Sequence, residues 1–498
     1  MSHTKDLFFI QKKQYLLLWA VFFSMFAHAL EMTITLTLLP SFLGSFGRLE
    51  LYPWILNSFL FTSVTMTPLW GRLTDLFGVK RVIFSGAIAY SLGVSVCVFA
   101  KTMPVFLLGR AFMGAGSGAL VLANYTVLAV LSSHESLPRR DGMLSSSWAF
   151  ASLAGPGIAS FFLQTLHWRW AYVLLLPLVL IPLLVLAMQE GLDCPSSKKR
   201  GWDGQGLFLL AFSTLAALFL TEQLSSGAAW WICATLFLCT CTGFIYFVRA
   251  SILTKDSVLP MHLFSQKGLR ESLVMAVFAA AVLYCLTAFM PLFIQGVQGG
   301  SVAVAGWVTA SVSLGWLLGS IIGGRYCNQW GAQKTLMVGV GFLLLGLGAL
   351  LCIPAQISPL VLALLVASNG IGIGLLVNTN LVQGQRLATK THIGGLTAGI
   401  SLFRGMGAAL GLAIGSTLQL RFFTKNLSAL SFKQSEELWV EKILQSPDVL
   451  FGAETRLAMG ELLHPITESL AQSIQGTLCG LFFLGVLLSY LLYRSGRT

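Results

Sequence analysis

Glu31 sits near the middle of an apolar stretch running from Tyr15 to Leu43, and His28 precedes it by three residues. A stretch of that length crosses a hydrocarbon core of roughly 30 Å, and an ionisable group inside it is costly unless it faces a partner or a wet cavity. Arg110, in the apolar run 105–130, and Arg404, in the run 393–420, share this condition. Charges inside membrane segments mark ion or substrate pathways by default, so these residues are the first candidates for chemistry. A carboxyl exposed in turn to two aqueous phases can load and release a proton, and an imidazole on a similar helical face can tune or relay it. Arg110 is permanently charged and offers a fixed counter-charge to Glu31, to an acidic ligand or to backbone carbonyls. Plainer readings stand beside these. Glu31 pairs with His28 or Arg110 only to fix packing, His28 only packs, and Arg110 only reaches the interface from a helix end.

The elements that must position these residues are membrane helices. Hydrophobic residues make up 56% of the chain and charged residues 10%, with a mean hydropathy of +0.79, too few polar groups to solvate a soluble globule of 498 residues. Fourteen runs are predicted to span: 15–43, 53–70, 82–100, 105–130, 143–166, 170–188, 206–221, 230–248, 272–294, 301–322, 335–353, 358–381, 393–420 and 474–493. Glu31, Arg110 and Arg404 are the three formal charges within them. Read alternately, the loops of one side hold twenty-one lysines and arginines, whereas the short loops opposite hold Arg48, Lys101 and Arg169. That bias predicts both termini in the cytoplasm and a multi-pass protein of the cell membrane, the inner one where there are two. The first run is read as a retained span, being too long for a signal-peptide core.

The net charge of +12 is spread over eight loops or tails, which attraction to anionic headgroups accounts for and a nucleic-acid surface does not. Nine scattered cysteines show neither zinc spacing nor a disulfide framework, and no glycine cluster follows a soluble strand, so no metal, cofactor or nucleotide is expected. Widely separated charges make no catalytic cluster, so the chain is not read as an enzyme. Asn57, Asn124, Asn378, Asn380 and Gln383 sit in or beside spans, where amides more often join helices than line a cavity. Asn57 and Asn378 are carried as substrate-cavity candidates, together with Gln295 and Arg404. The stretch 421–473 is expected to form an ordered outer cap, with a short amphipathic helix near 435–446.

Between the second and third runs stands Pro68-Leu-Trp-Gly71-Arg72-Leu-Thr-Asp75-Leu-Phe-Gly78-Val-Lys80-Arg81. This spacing resembles the signature loop of the major facilitator superfamily. Gly324-Arg325, Asn328, Gly331 and Lys334, after the tenth run, resemble the degraded copy kept in that family's second half. Other stretches resemble the branch of fourteen-span drug:proton antiporters: Leu30-Glu31-Met32-Thr33-Ile34 through Pro40, Leu107-Leu-Gly-Arg110 through Gly116, Gly155-Pro156, His167-Trp-Arg-Trp170, Trp202-Asp203-Gly204 and Gln295. The chain departs from that pattern with Glu31 where an aspartate is usual, Leu76 and Val79 where bases are common, and Ala159-Ser160 in place of paired glycines.

The resemblance implies an all-α major facilitator fold of 6 + 2 + 6 spans: halves 1–190 and 257–498, the latter including 421–473, and two extra spans within 191–256. It implies a cavity between the halves, proton coupling through Glu31, His28 and Arg110, and a cytoplasmic latch at Gly71, Arg72, Asp75, Gly78, Lys80 and Arg81. Gly155 and Pro156 would form the antiporter motif, and the cargo would be exported amphipathic or toxic small molecules. A periplasmic adaptor would be a partner in a Gram-negative source. Transport of one metabolite or siderophore is the alternative; a sensor is disfavoured because no output module is visible.

Overall fold

The computed structural model describes residues 2–46, 54–132, 136–188, 201–225, 229–254, 257–259, 261–264, 266, 269–387, 393–428, 456 and 459–495. Helices α1 (Ser2–Phe46), α2 (Trp54–Phe77), α3 (Val79–Phe99), α4 (Met103–Leu131), α5 (Leu137–Thr165), α6 (Trp168–Val173) and α7 (Leu175–Ala187) come first. The pair α8 (Gly204–Ser225) and α9 (Trp230–Leu253) follows, then the short α10 (Met261–Phe264). The remainder comprises α11 (Leu269–Leu292) with a π-helical extension Phe293–Val297, α12 (Val302–Trp330), α13 (Ala332–Leu351), α14 (Pro359–Leu387), α15 (Ile393–Ser428) and α16 (Leu463–Ser495). An apolar chain in lipid must satisfy its backbone internally, and helices do so within each run.

Counting α6 and α7 as one unit, fourteen long helical units are described, and twelve are long and apolar enough to cross a membrane. The protein is a multi-pass membrane protein. α2 and α5 fall outside the twelve because hydroxyls dilute them, such as Ser58, Thr62, Ser63, Thr65 and Thr67 in α2, and because α5 begins with Arg139, Arg140 and Asp141. Both are packed between other helices: α2 lies against α4 and α15, and α5 against α1 and α12. The hydroxyls of α2 therefore face protein.

Buried apolar side chains gather in two clusters. One unites α1–α7 with parts of the α8–α10 segment and the α14 and α15 ends nearest it; the other is built from α11–α16. Small residues let backbones approach within each cluster: a Cβ on Gly109 would meet Cys97 of α3 at 2.6 Å, and one on Gly372 would meet the Gly339 carbonyl of α13 at 2.6 Å. α8 rests on α2 and α15, and α9 lies outside it with Trp230, Phe237, Leu238 and Ile245 exposed, an apolar surface that a bilayer would cover.

Two expected boundaries are corrected. The final helix starts at Leu463 rather than 474, and α15 runs to Ser428 rather than 420, so both ends of 421–473 are helical continuations. The reason is that backbone hydrogen bonding does not stop where hydrocarbon does. The amphipathic helix expected near 435–446 lies outside the described residues.

Candidate functional site

Glu31, in the second half of α1, and Arg110, seven residues after the α4 N-terminus, are wholly buried and form an ion pair through Oε1 and Nη1. Arg110 also donates from Nε to the Ile55 carbonyl of α2 at 2.9 Å, and its guanidinium lies 4.7 Å above the Phe59 ring. Thr35, one turn on from Glu31, donates to Oε1 at 2.9 Å, and its hydroxyl meets that of Tyr172 at 2.8 Å. The pair thus joins α1, α2, α4 and α6 by charge-assisted bonds in a dry setting, where such bonds are strong. Glu31 Oε2 and Arg110 Nη2 are buried with no hydrogen-bond partner among the described residues. Thr35 and Tyr172 were not singled out in the sequence; Thr35 carries a signal, its hydroxyl standing at i+4 from the acid.

A central cavity of about 180 Å³ opens beside this network, between α1, α2, α4 and α5 on one side and α11, α12, α14 and α15 on the other. His28 lines it, whereas Glu31 and Arg110 do not. The His28 Nδ1 and the Ser117 hydroxyl share a hydrogen bond, and the ring stacks 6.0 Å from Phe59 and stands edge-on to Trp148 at 5.2 Å. Phe59 therefore separates the cavity from the ion pair. Trp148 of α5 and Trp316 of α12 stack at 6.3 Å across the two halves, and Ser152 donates to Ser313 beside them at 3.1 Å. Arg404 also lines the cavity and interacts electrostatically with Tyr125, Asp141 and Tyr284.

On the side of the basic loops, Asp75 crosses between halves. Its Oδ1 accepts from Gly394 N–H at 2.9 Å and its Oδ2 from Gly395 N–H at 3.0 Å, a carboxylate set on the N-terminus of α15. Gly71 makes room for this contact, since a Cβ there would stand 2.5 Å from Ala398 Cβ. Arg72 is buried and donates to the Gly201 carbonyl before α8. Gly78 reverses the chain with a φ of 87°, which a side chain would resist. Lys80 and Arg81 instead border a groove with Leu183 and Leu186 of α7.

The other expected residues fall into distinct places. Gly155 of α5 lies against Thr33 of α1, with Thr33 donating to the Ala151 carbonyl at 3.1 Å, and Pro156 follows inside the same helix. Asn57 borders a second cavity with Glu222. Asn378 is buried next to the cavity-lining Val377 and donates to the Ser320 carbonyl at 3.0 Å, a bond between α14 and α12. Gln295 sits in the π-helical extension of α11, where its backbone carbonyl accepts from Arg456 at 3.3 Å. Arg169 donates to the Val98 and Ala100 carbonyls at 2.8 Å each, closing the end of α3, and burial followed by the Arg169 charge lowers the His167 imidazole from its ordinary range. Asp203 caps α8 through Gly206 N–H at 2.8 Å.

Glu222 revises the count of charges. The run 206–221 stops one residue short of it, whereas the apolar helix spans Gly204–Leu224 and includes it. Glu31 is therefore not the only acid within the membrane helices. Among the described residues no group of three or more His, Cys, Asp or Glu side chains is placed to hold a metal ion.

The multidrug transporter protein MdtP of Bacillus subtilis (strain 168) is 26% identical over 417 residues, which is 82% of this chain and 76% of that protein. Multidrug resistance protein 3 of the same organism is 23% identical over 453 residues, 90% of this chain and 88% of that one. In fold the chain is similar to the crystal structure of the human organic anion transporter MFSD10, with a TM-score of 0.65 at 15% identity, covering 96% of this chain and 99% of that chain. The family model described as Major Facilitator Superfamily matches residues 21–412. That match runs from inside α1 to inside α15 and includes both glycine turns, and the chain belongs to the major facilitator superfamily, a family of transporters and not of enzymes.

Proposed function

We propose that this chain is a fourteen-span drug:proton antiporter that exports amphipathic or toxic small molecules, with Glu31 as the proton-carrying group. The observation that carries the reading is the sealed Glu31–Arg110 pair one residue layer behind a cavity shared by the two halves. Relatives named as a multidrug transporter and a multidrug resistance protein support the cargo class. α2 and α5 are counted among the fourteen spans on their length and their packing inside the bundle.

The chemistry follows from the bonds each partner keeps. Protonation at the carboxyl cancels the charge attraction, yet Arg110 stays anchored to α2 by the Ile55 carbonyl and the Phe59 face. α1 is then free to shift while the cation remains in place. Oε2, which no donor among the described residues reaches, is the oxygen on which the proton sits. His28, facing the cavity one turn away, passes the proton inward, and displacement of Phe59 opens the way to the pair. The Asp75 bonds to the α15 N-terminus hold the basic-loop side shut while the opposite side admits or releases, and rocking of one half on the other breaks them. Both termini lie in the cytoplasm and the protein resides in the cell membrane.

Proteoliposomes with an imposed pH gradient test this. Uptake of a fluorescent amphipathic dye against its concentration gradient, accompanied by proton flux the other way, is expected. Dye movement indifferent to the pH gradient overturns it.

A further inference from the structure

Glu222 is carried near the end of α8, in a helix apolar enough to cross a membrane. Its carboxylate accepts from Asn57 Nδ2 of α2, and among the described residues no basic side chain is paired with it. A neutral amide leaves the negative charge uncompensated, which is costly for a half-buried acid. The two residues border a side cavity of about 200 Å³ between α2, α8, α11 and α15. Leu60, Val64, Tyr284, Gly405 and Ala408 border both this space and the central cavity, so the two adjoin. The guanidinium of Arg404 lines the central space and not the side one. A cationic ligand is therefore attracted to the Glu222 end of the combined chamber.

We propose that the side cavity is a subsite for a protonated organic amine, whose ammonium donates to Glu222 while its apolar part lies along Leu60 and Tyr284 into the central cavity. The proposal rests on reading the central cavity as the substrate chamber. An ammonium bearing N–H groups suits the site better than a quaternary one, because a carboxylate and the Asn57 side-chain carbonyl both accept hydrogen bonds. The small walls, Gly405, Ala408, Ala409 and Ala413, leave room for a compact head. On this account the extra pair of helices does more than fill space, since α8 supplies a carboxylate that neither half brings to the chamber.

Calorimetric titration of the purified full-length protein at neutral pH, without any gradient, tests it with three ligands that share one tail: phenylbutylamine, phenylbutyltrimethylammonium and phenylbutanol. The amine is expected to bind about tenfold more tightly than the alcohol, with the quaternary ion between them. Glu222→Gln keeps an acceptor for Asn57 and should bring the amine to the level of the alcohol without moving the thermal midpoint. Equal binding of amine and alcohol by the unmodified protein overturns the proposal, as does an amine preference undiminished in Glu222→Gln. If that variant does not fold, the comparison of amine with alcohol on the unmodified protein decides alone. Because no pH gradient is imposed, failure here leaves proton coupling at Glu31 standing, and failure of coupling leaves an amine preference standing.

Discussion

Gly78, between α2 and α3, has φ 87° and ψ 158°, and Gly331, between α12 and α13, has φ 78° and ψ 159°. The same reversal is made twice, three residues after Asp75 in one half and three after Asn328 in the other. Asp75 uses both oxygens to accept two N–H groups from the opposite half, whereas Asn328 has one acceptor oxygen and takes a bond from Arg386 within its own half. A repeated backbone thus carries an acid where halves must part and an amide where they need not. The contrast deepens inside the bundle. α4 bears the buried Arg110 paired with Glu31, while α14, fourth long helix of the second half, bears Asn369, Asn378, Asn380 and Gln385, each donating to a carbonyl or hydroxyl. Thus α4 holds a charge pair that a proton can cancel, whereas the polar groups of α14 that make these bonds are amides that do not titrate.

The largest expected effect breaks the charged side of that contrast. Arg110→Leu leaves Glu31 buried without its cation and should lower stability by about 3–5 kcal/mol, whereas Asn380→Ala should cost only about 1 kcal/mol. Thermal unfolding of both in detergent checks the order; a milder loss for Arg110→Leu would mean the pair is wet. Next come the turns. Gly78→Ala and Gly331→Ala force a side chain into a region reserved for glycine and should each cost about 1–3 kcal/mol, equally if the turns are true repeats. The smallest effect separates their acids. Asp75→Asn gives up the carboxylate on the α15 N-terminus, worth about 1 kcal/mol, and should widen spin-label distances across the basic-loop side, while Asn328→Asp should not.

Every run read from the sequence coincides with a long helix, because an apolar chain in lipid has few other ways to satisfy its backbone. Glu31 and Arg110 were legible for a related reason: opposite charges in so apolar a sequence have little to pair with but each other. Glu222 was missed because Glu222 and Gln223, beside Ser225 and Ser226, look like a loop until α8 is seen to extend through Leu224 and seat the acid against Asn57. Asn378 and Gln295 could not be told apart from helix-joining amides in the sequence, because an amide reads identically whether it fastens two helices or faces a cavity. Phe59 gave no sign among 35 phenylalanines, since its position between the cavity and the guanidinium is a matter of helix rotation.

The central claim is that Glu31 works by taking up and releasing a proton. Glu31→Gln matches the protonated acid in shape and neutrality and still offers Thr35 an acceptor, so the fold should persist. Proton flux and substrate flux recorded together in liposomes under an imposed pH gradient give the direct test. The account predicts that Glu31→Gln severs substrate movement from the gradient and that Glu31→Asp keeps part of the coupling; undiminished proton-driven transport by Glu31→Gln would contradict it.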